Sequence, residues 1–411
     1  MKTERNFPKF TVTKKAEASL RAGHPWVYEA EITSVTPDTP IENGSLVDVV
    51  SGKGTYLGTG FYSEKSKIRV RILAQNANET FGEAFFERRL RYAVEYRKTV
   101  MQEDFSCCRL IFGEADGLPG LTVDRFSNLL VAQVLSYGMD LRKDMVFSLL
   151  LKILRENGET VDAVYERNDV AIRELEGLTQ YKAWAKISEN SHPETTQTEI
   201  TENGIRYTVD VENGQKTGFF LDQKYNRREI ARIVKGKTLL DCFTHTGSFA
   251  LNAAKGGAKK VIAVDISETA VSMARENAEK NGLSNVMECV KADVFDYLRG
   301  LYEKREKPYD FIILDPPAFT KSRKTVGNAT NGYKEINLLA MRILPRGGYL
   351  ATCSCSHFMR DDLFRKMLVD CAAEAGVKLR QIEARQQGPD HPILWNVPET
   401  DYLKFYIFQI E

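Results

Sequence analysis

An α/β fold, with a doubly wound and mostly parallel sheet in the C-terminal half, is predicted by two features of the sequence. Apolar runs end in an aspartate, as in "KTLLDCF", "KVIAVDI" and "YDFIILDPPAF". Helical stretches such as "GSFALNAAKGG" and "ETAVSMARENAEKNG" lie between them. Strands alternating with helices at this spacing build a sheet covered on both faces, and ligands of such sheets bind beyond the carboxyl ends of the strands. Asp241, Asp265, Asp293 and Asp315 all fall at such ends.

At 411 residues the chain exceeds one compact core, so two or three domains are expected. Residues 1–75 read as short strands cut by turns ("FTVTK", "SLVDVVS", "TYLGTGFYS", "KIRVRILA"), the pattern of a small β-barrel. Residues 76–190 open with a charged amphipathic helix, "FGEAFFERRLRYAVEYRKTVMQ". A hairpin around Ser127-Asn128, a helix ("LRKDMVFSLLLKILREN") and a strand ("VDAVYERN") follow, giving a small α+β domain. The polar stretch "ISENSHPETTQTEITE" marks the boundary, and 191–411 form the third domain.

Hydrophobic content of 43% with 27% charge is that of a soluble globular protein. The charged amino terminus and the lack of a long apolar run predict a cytoplasmic protein with no membrane contact. Seven cysteines, with no CxxC pair and no histidine at ligand spacing, predict neither disulfides nor a metal site. Net charge is +1, but residues 1–75 hold 11 Lys/Arg against 8 Asp/Glu, which permits an RNA-facing surface.

The stretch "LLDCFTHTGSFAL" ends a strand at Asp241 and opens a helix at Gly247, with Thr244 and Thr246 between them. A glycine there lets the backbone approach a ligand, and the absent GxGxxG disfavours a dinucleotide. Asp265 is placed to accept from ribose hydroxyls and Asp293 to meet an adenine amino group, although either could be a helix cap. In "ILDPPAF" the two prolines end the strand and hold Asp315 in the crevice. Together these features look like a class I S-adenosylmethionine-dependent methyltransferase.

The resemblance extends further. "HPWVYEAEI", "GEADGLPGLTVDRF", "KTGFFLDQKYNRR", "DCFTHTGSFAL", "LDPPAF", "GYKEIN", "CSCS" and "DHP" are similar in order and spacing to the bacterial large-subunit rRNA 5-methylcytosine methyltransferases. That resemblance implies an N-terminal PUA domain, a middle α+β domain and a Rossmann-like catalytic domain. It also implies S-adenosyl-L-methionine as cofactor and a cytosine of large-subunit rRNA as substrate, and a homodimer is admitted.

Cytosine C5 is a poor nucleophile, so methylation there requires a thiolate that first adds to C6, with an acid near N3. Cys355 lies in the Ser-Cys-Ser context of the family's nucleophile, whereas Cys353 occupies a position that the family does not require to be cysteine. Strand alternation puts both on one side. Asp315 is expected to contact the base and the cofactor. Some 5-methylcytosine enzymes carry a second cysteine after the two prolines; Ala318 stands there, so the base that takes the C5 proton is unassigned.

By resemblance "KTGFFLDQ" folds over the methionine end of the cofactor, with Phe219, Phe220 and Gln223 as contacts; a core aromatic pair is the other reading of the phenylalanines. Arg21, His24 and Trp26 are candidate RNA contacts, Trp26 being equally a core residue. The basic stretch 320–334 offers Lys321, Arg323 and Lys324 to an RNA backbone. Buried filler is expected of Cys242, Cys289 and Cys371. The alternatives are an exocyclic-amine RNA methyltransferase, for which Cys355 would be dispensable, and a non-catalytic ribosome-assembly factor.

Overall fold

A computed structural model describes residues 6–187, 192–319 and 326–411, which fall into two compact units. The first comprises Met1–Ile200, Thr208–Leu221 and Pro389–Thr400; the second comprises Thr201–Tyr207, Asp222–Gly388 and Asp401–Glu411.

The first unit contains a six-stranded sheet in the order Trp26–Tyr28, Ile68–Ala74, Tyr56–Tyr62, Leu46–Val50, Lys9–Val12, Ile32–Thr36. Its two outer strands are joined by the single 3₁₀ turn Glu29–Glu31, so the sheet curls toward closure as a barrel. Inward-facing Phe10, Val12, Val27, Val47, Val49, Leu57, Val70 and Ile72 fill it, with Ala16 and Leu20 from the helix Lys14–Arg21. That helix and the strand Trp26–Tyr28 were not anticipated from the sequence.

The same unit holds a five-stranded sheet, Cys107–Phe112 to Lys182–Trp184, and the helix Glu83–Met101. Phe85, Phe86, Leu90, Ala93, Val94, Arg97 and Met101 lie on that helix's buried stripe, the 3.6-residue periodicity the sequence shows. The predicted hairpin is present: strands Leu121–Phe126 and Leu129–Val134 pair around Ser127, which takes a positive φ of 57°. The stretch expected as a linker or hairpin includes the strand Gln197–Glu202, paired with Ile205–Asp210.

The second unit is built on seven strands: β1 (Thr238–Cys242), β2 (Lys260–Asp265), β3 (Met287–Lys291), β4 (Phe311–Leu314), β5 (Tyr349–Ser354), β6 (Leu379–Arg385) and β7 (Lys404–Ile410). Their order is 3-2-1-4-5-7-6. The pairings among β1 to β5 are parallel, and β7 runs antiparallel to both β5 and β6.

Helices cover both faces. Val294–Glu303, Val326–Ile343 and Asp361–Ala375 pack on the face carrying Leu240, Cys242, Ile262, Val264, Ile312, Leu314 and Leu350. On β1 the alternate residues Leu239 and Asp241 therefore face the opposite layer. There the helices Lys224–Ile233 and Ser248–Lys255 lie, with Phe249 stacked on Phe405 at 6.0 Å. Among the described residues no helix is long and apolar enough to cross a membrane.

Candidate active site

Register brings the strand ends together. Asp241 is level with Ile313, and Leu314 with Thr352, so the next residues out, Asp315 just past β4 and Cys353 near the end of β5, are neighbours. The loop after β1 is unusually constrained: Phe243, His245 and Gly247 all have positive φ, at 63°, 49° and 80°. Two are not glycine, and such backbone persists only where surrounding bonds over-determine it. Those bonds are present. The Thr244 N–H donates to the Val264 carbonyl at 3.0 Å, the His245 N–H to Asp265 Oδ2 at 3.0 Å, and the Gly247 N–H to the Thr244 carbonyl at 2.9 Å.

Gly247 is also required by its backbone and its packing. A Cβ there would stand 2.9 Å from Met287 Cε and 3.1 Å from Ala274 Cβ, and its φ is +80°.

Asp241 is fully buried; its Oδ2 accepts from the Thr244 hydroxyl at 2.6 Å and from the Ala250 N–H at 3.0 Å. Its Oδ1 and the buried Thr246 Oγ1 have no hydrogen-bond partner among the described residues. Burial chiefly, with repulsion from Asp315 and Asp265, pushes the Asp241 carboxyl up to about 7. Asp315 is pushed up to about 6, by burial first and then by the charge of Asp222. Repelled carboxylates beside orphaned polar atoms form a cradle suited to a polar, cationic ligand, and S-adenosylmethionine carries both an ammonium and a sulfonium.

Asp265 accepts at both oxygens, from His245 and from the Ser267 N–H at 3.0 Å, while Ser267 itself caps the helix Glu268–Lys280. Asp265 is thus a loop clamp with lone pairs left over for a ribose. Asp293 is the cap of Val294–Glu303: its Oδ1 accepts from the Phe295 and Asp296 N–H groups at 2.9 and 3.2 Å.

Gln223, expected at the cofactor, lies against Asp315. Its Nε2 donates to Asp315 Oδ1 at 3.2 Å, and its Oε1 accepts from Asn226 at 2.6 Å, an arrangement that fixes the amide with its NH₂ toward the carboxylate. Phe219 and Phe220 belong to the first unit, Phe219 buried and Phe220 under the Lys216 ammonium at 4.6 Å.

The two cysteines of "CSCS" differ. Cys353 is fully buried in β5, and its thiol donates to Asp315. The strand ends at Ser354, so alternation no longer governs Cys355. Cys355 is partly exposed, with Sγ 4.0 Å from the Pro316 carbonyl, and it lies in the field of Tyr333 and Lys404. Cys242 and Cys371 are buried as expected, but Cys289 is partly exposed. Phe319, after the prolines, packs on Tyr333 at 4.7 Å.

In the first unit, Arg21 pairs with Glu17 on its own helix at 2.9 Å. His24 Nε2 meets Glu399 at 3.3 Å, and the Trp26 indole donates to Glu114 at 2.8 Å with Arg71 over its ring. Trp26 is therefore tied into an internal network. Lys321, Arg323 and Lys324 lie outside the described residues.

Sequence reasoning missed Lys404. It opens β7, is 6% exposed, and its Nζ donates to the carbonyls of Ser356 at 2.7 Å and Tyr402 at 2.8 Å. The signal available was a lone lysine opening the apolar run "KFYIFQI".

Strand order, strand-end acids and cradle together define a class I methyltransferase site, and comparison agrees. A model of the S-adenosylmethionine-dependent methyltransferases matches residues 162–408, and one of the PUA-like domain matches 10–75. The chain belongs to that methyltransferase family. Within it, the chain is 41% identical to ribosomal RNA large subunit methyltransferase I of Aeromonas salmonicida, over 96% of this chain and 97% of that protein. The corresponding Klebsiella pneumoniae protein is 38% identical over 99% of this chain and all of the relative. A Streptococcus mutans structure assigned as an S-adenosylmethionine-dependent methyltransferase shares the fold with a TM-score of 0.80 at 23% identity, covering 98% of this chain and 99% of its own.

Proposed function

We propose that this enzyme methylates C5 of a cytosine in large-subunit (23S) ribosomal RNA through a transient bond between Cys355 and C6 of the base. The observation that carries the reading is the position of Cys355, a partly exposed thiol just past β5 with Sγ 4.0 Å from the carbonyl of Pro316, the residue after Asp315.

The target base must leave its stack, because the thiolate attacks from above the ring plane. The Cys355 thiolate forms the S–C6 bond, and the displaced electron pair makes C5 nucleophilic. Asp315, a carboxyl that holds its proton close to neutrality, donates to N3 as charge develops there, with its orientation set by Gln223. S-adenosylmethionine supplies the methyl group on an electrophilic sulfonium. A base then takes the C5 proton, the C5–C6 double bond re-forms, and the thiolate leaves unchanged.

Asp241 and Thr246 would hold the cofactor's polar groups through their unpartnered oxygens, with Thr244 and Gly247 shaping the loop, Asp265 at the ribose and Asp293 at the adenine. Phe219 and Phe220 are kept as contacts on the methionine side. Arg21 on its exposed helix, with His24 and the basic segment bearing Lys321, Arg323 and Lys324, is assigned to the RNA backbone, and 1–75, 76–190 and 191–411 are taken as the three domains. An rRNA substrate puts the enzyme in the cytoplasm; sedimentation of the purified chain decides between a monomer and a homodimer.

The test is a map of 5-methylcytosine in large-subunit rRNA from cells with and without the gene. One cytosine should lose its methyl group in the deletion and regain it with the wild-type gene. Cys355→Ala should not restore it, with turnover in vitro at least about 10³-fold down, while still binding S-adenosylmethionine. An unchanged cytosine map, or an active Cys355→Ala enzyme, defeats the reading.

A further inference from the structure

A lysine ammonium is almost never buried without a partner of opposite charge or a task. Among the described residues Lys404 has no salt bridge, and its head is not exposed: its recorded hydrogen-bond partners are two neutral carbonyls, those of Ser356 and Tyr402. Of these, Ser356 directly follows Cys355. Register adds a second constraint. Lys404 stands opposite Ser354 in the antiparallel β5–β7 pair, so the two side chains leave the sheet on one face. Ser354 meets the Tyr333 hydroxyl at 3.1 Å on that face. Lys404 reaches past Ser354 to the turn that carries the nucleophile, and Cys355 is among the groups whose charge acts on it.

We propose that Lys404 is a positioning residue that holds Cys355 as its thiolate, by clamping the turn through the Ser356 carbonyl and by serving as the thiolate's counterion. The inference rests on the assignment of Cys355 as nucleophile. The thiol proton leaves to solvent, and the S⁻ left on Cys355 lies in the field of the Lys404 –NH₃⁺. The thiolate spends its electron pair on C6 and recovers it on release, so the lysine ends each turnover as it began it. The charged groups facing Lys404 are Asp401, Cys355 and Asp361. Lys404, Tyr333 and Cys353 are among those whose charge meets Cys355, and burial holds the latter two in their neutral forms. Of these three, Lys404 is the cation. Burial also pulls its ammonium down to about 8, which leaves it largely charged at neutral pH.

The test needs no RNA. Alkylation of Cys355 by iodoacetamide, followed by peptide mass from about pH 6 to pH 10, reports the thiolate directly. In Lys404→Met the half-reaction pH should rise by about one unit or more, cutting reactivity at neutral pH roughly tenfold, and Lys404→Arg should stay near wild type. An unshifted midpoint in a Lys404→Met protein that binds S-adenosylmethionine normally by calorimetry overturns the proposal. Should that variant fail to fold, the reciprocal measurement decides: in Cys355→Ala, NMR of lysine-labelled protein should show Lys404 titrating at lower pH, because the thiolate that raises it is gone. An unmoved Lys404 titration is equally fatal. Neither arm measures methylation, so a cytosine map that refutes the C5 reaction leaves the thiol–lysine couple to be judged separately.

Discussion

The two units bury the same kinds of charged side chain and treat them in opposite ways. In the first, buried or half-buried arginines are matched to acids. Arg97 grips Asp116 at 2.5 and 2.8 Å, Arg109 grips Asp124 at 2.7 and 2.8 Å, and Arg71 reaches Glu176 at 2.9 Å. In the second, Arg227 and Glu202 form one such pair at 2.7 Å, but among the described residues no arginine is bonded to Asp241 or Asp315. Burial first, and then the charge of Asp315 on Asp241 and of Asp222 on Asp315, drives their carboxyls toward neutrality. Paired charge fixes a shape, whereas unpaired charge is held in readiness for a ligand or a proton. The unpaired set lies where the sheet opens, which is why it marks the site.

Breaking a matched pair is the largest test of this contrast. Arg97 is fully buried and also donates to the carbonyls of Arg109 and Asp390 at 2.9 and 3.0 Å. Arg97→Met strands Asp116 and both carbonyls, and should lower stability to denaturant by about 3 to 5 kcal/mol. The affinity of the folded fraction for S-adenosylmethionine should not change. A loss below about 1 kcal/mol would place this pair with exposed ones and remove the contrast.

Unpairing the other way should stabilise. The Asp241 carboxyl titrates at about 7 in the fold, above its ordinary 3.8, so the native state holds the proton more tightly than the unfolded chain. The stability this contributes is full below about pH 4 and is lost as pH rises through about 7. An asparagine does not titrate. Its Oδ1 can take the Thr244 and Ala250 hydrogen bonds, and its NH₂ occupies the unpartnered side. Without cofactor, Asp241→Asn should therefore be more stable than wild type at pH 8 by up to a few kcal/mol, with the gap shrinking by pH 5. It should also bind the cationic cofactor roughly tenfold more weakly at pH 8. A wild type at least as stable as the variant at pH 8 would mean that the carboxylate is not under repulsion.

What could be read from the sequence follows the same division. The parallel strands β1, β2, β4 and β5 announce themselves because both faces are buried, and terminal acids break the apolar runs of β1, β2 and β4. The partly polar strand β6, and β7 whose antiparallel return depends on pairing with β5 and β6, carry no comparable local signal. Residue types at the site were legible, and their partners were not. Gln223 meets Asp315 from 92 positions away, and Lys404 meets Ser356 from 48, distances that only the folded sheet closes. Likewise "HPW" marks a special place without disclosing that the Trp26 indole is held by Glu114.

The smallest effect separates the two cysteines. Cys353 donates to Asp315 and stabilises its ionised form, so Cys353→Ala removes one hydrogen bond, worth about 1 kcal/mol, and a severalfold loss of turnover follows. The direction of the pH effect is also set: without that donor the Asp315 carboxyl rises further above about 6, so the limb of the pH–rate profile that reports Asp315 should move to higher pH. Cys353→Ser, which keeps a donor in the same place, should recover most of both. A Cys353→Ala enzyme as inactive as Cys355→Ala would make the buried thiol part of the covalent chemistry, and a limb displaced to lower pH would show that it does not serve Asp315. Either result would dissolve the distinction between a thiol that supports the acid and a thiol that attacks the base.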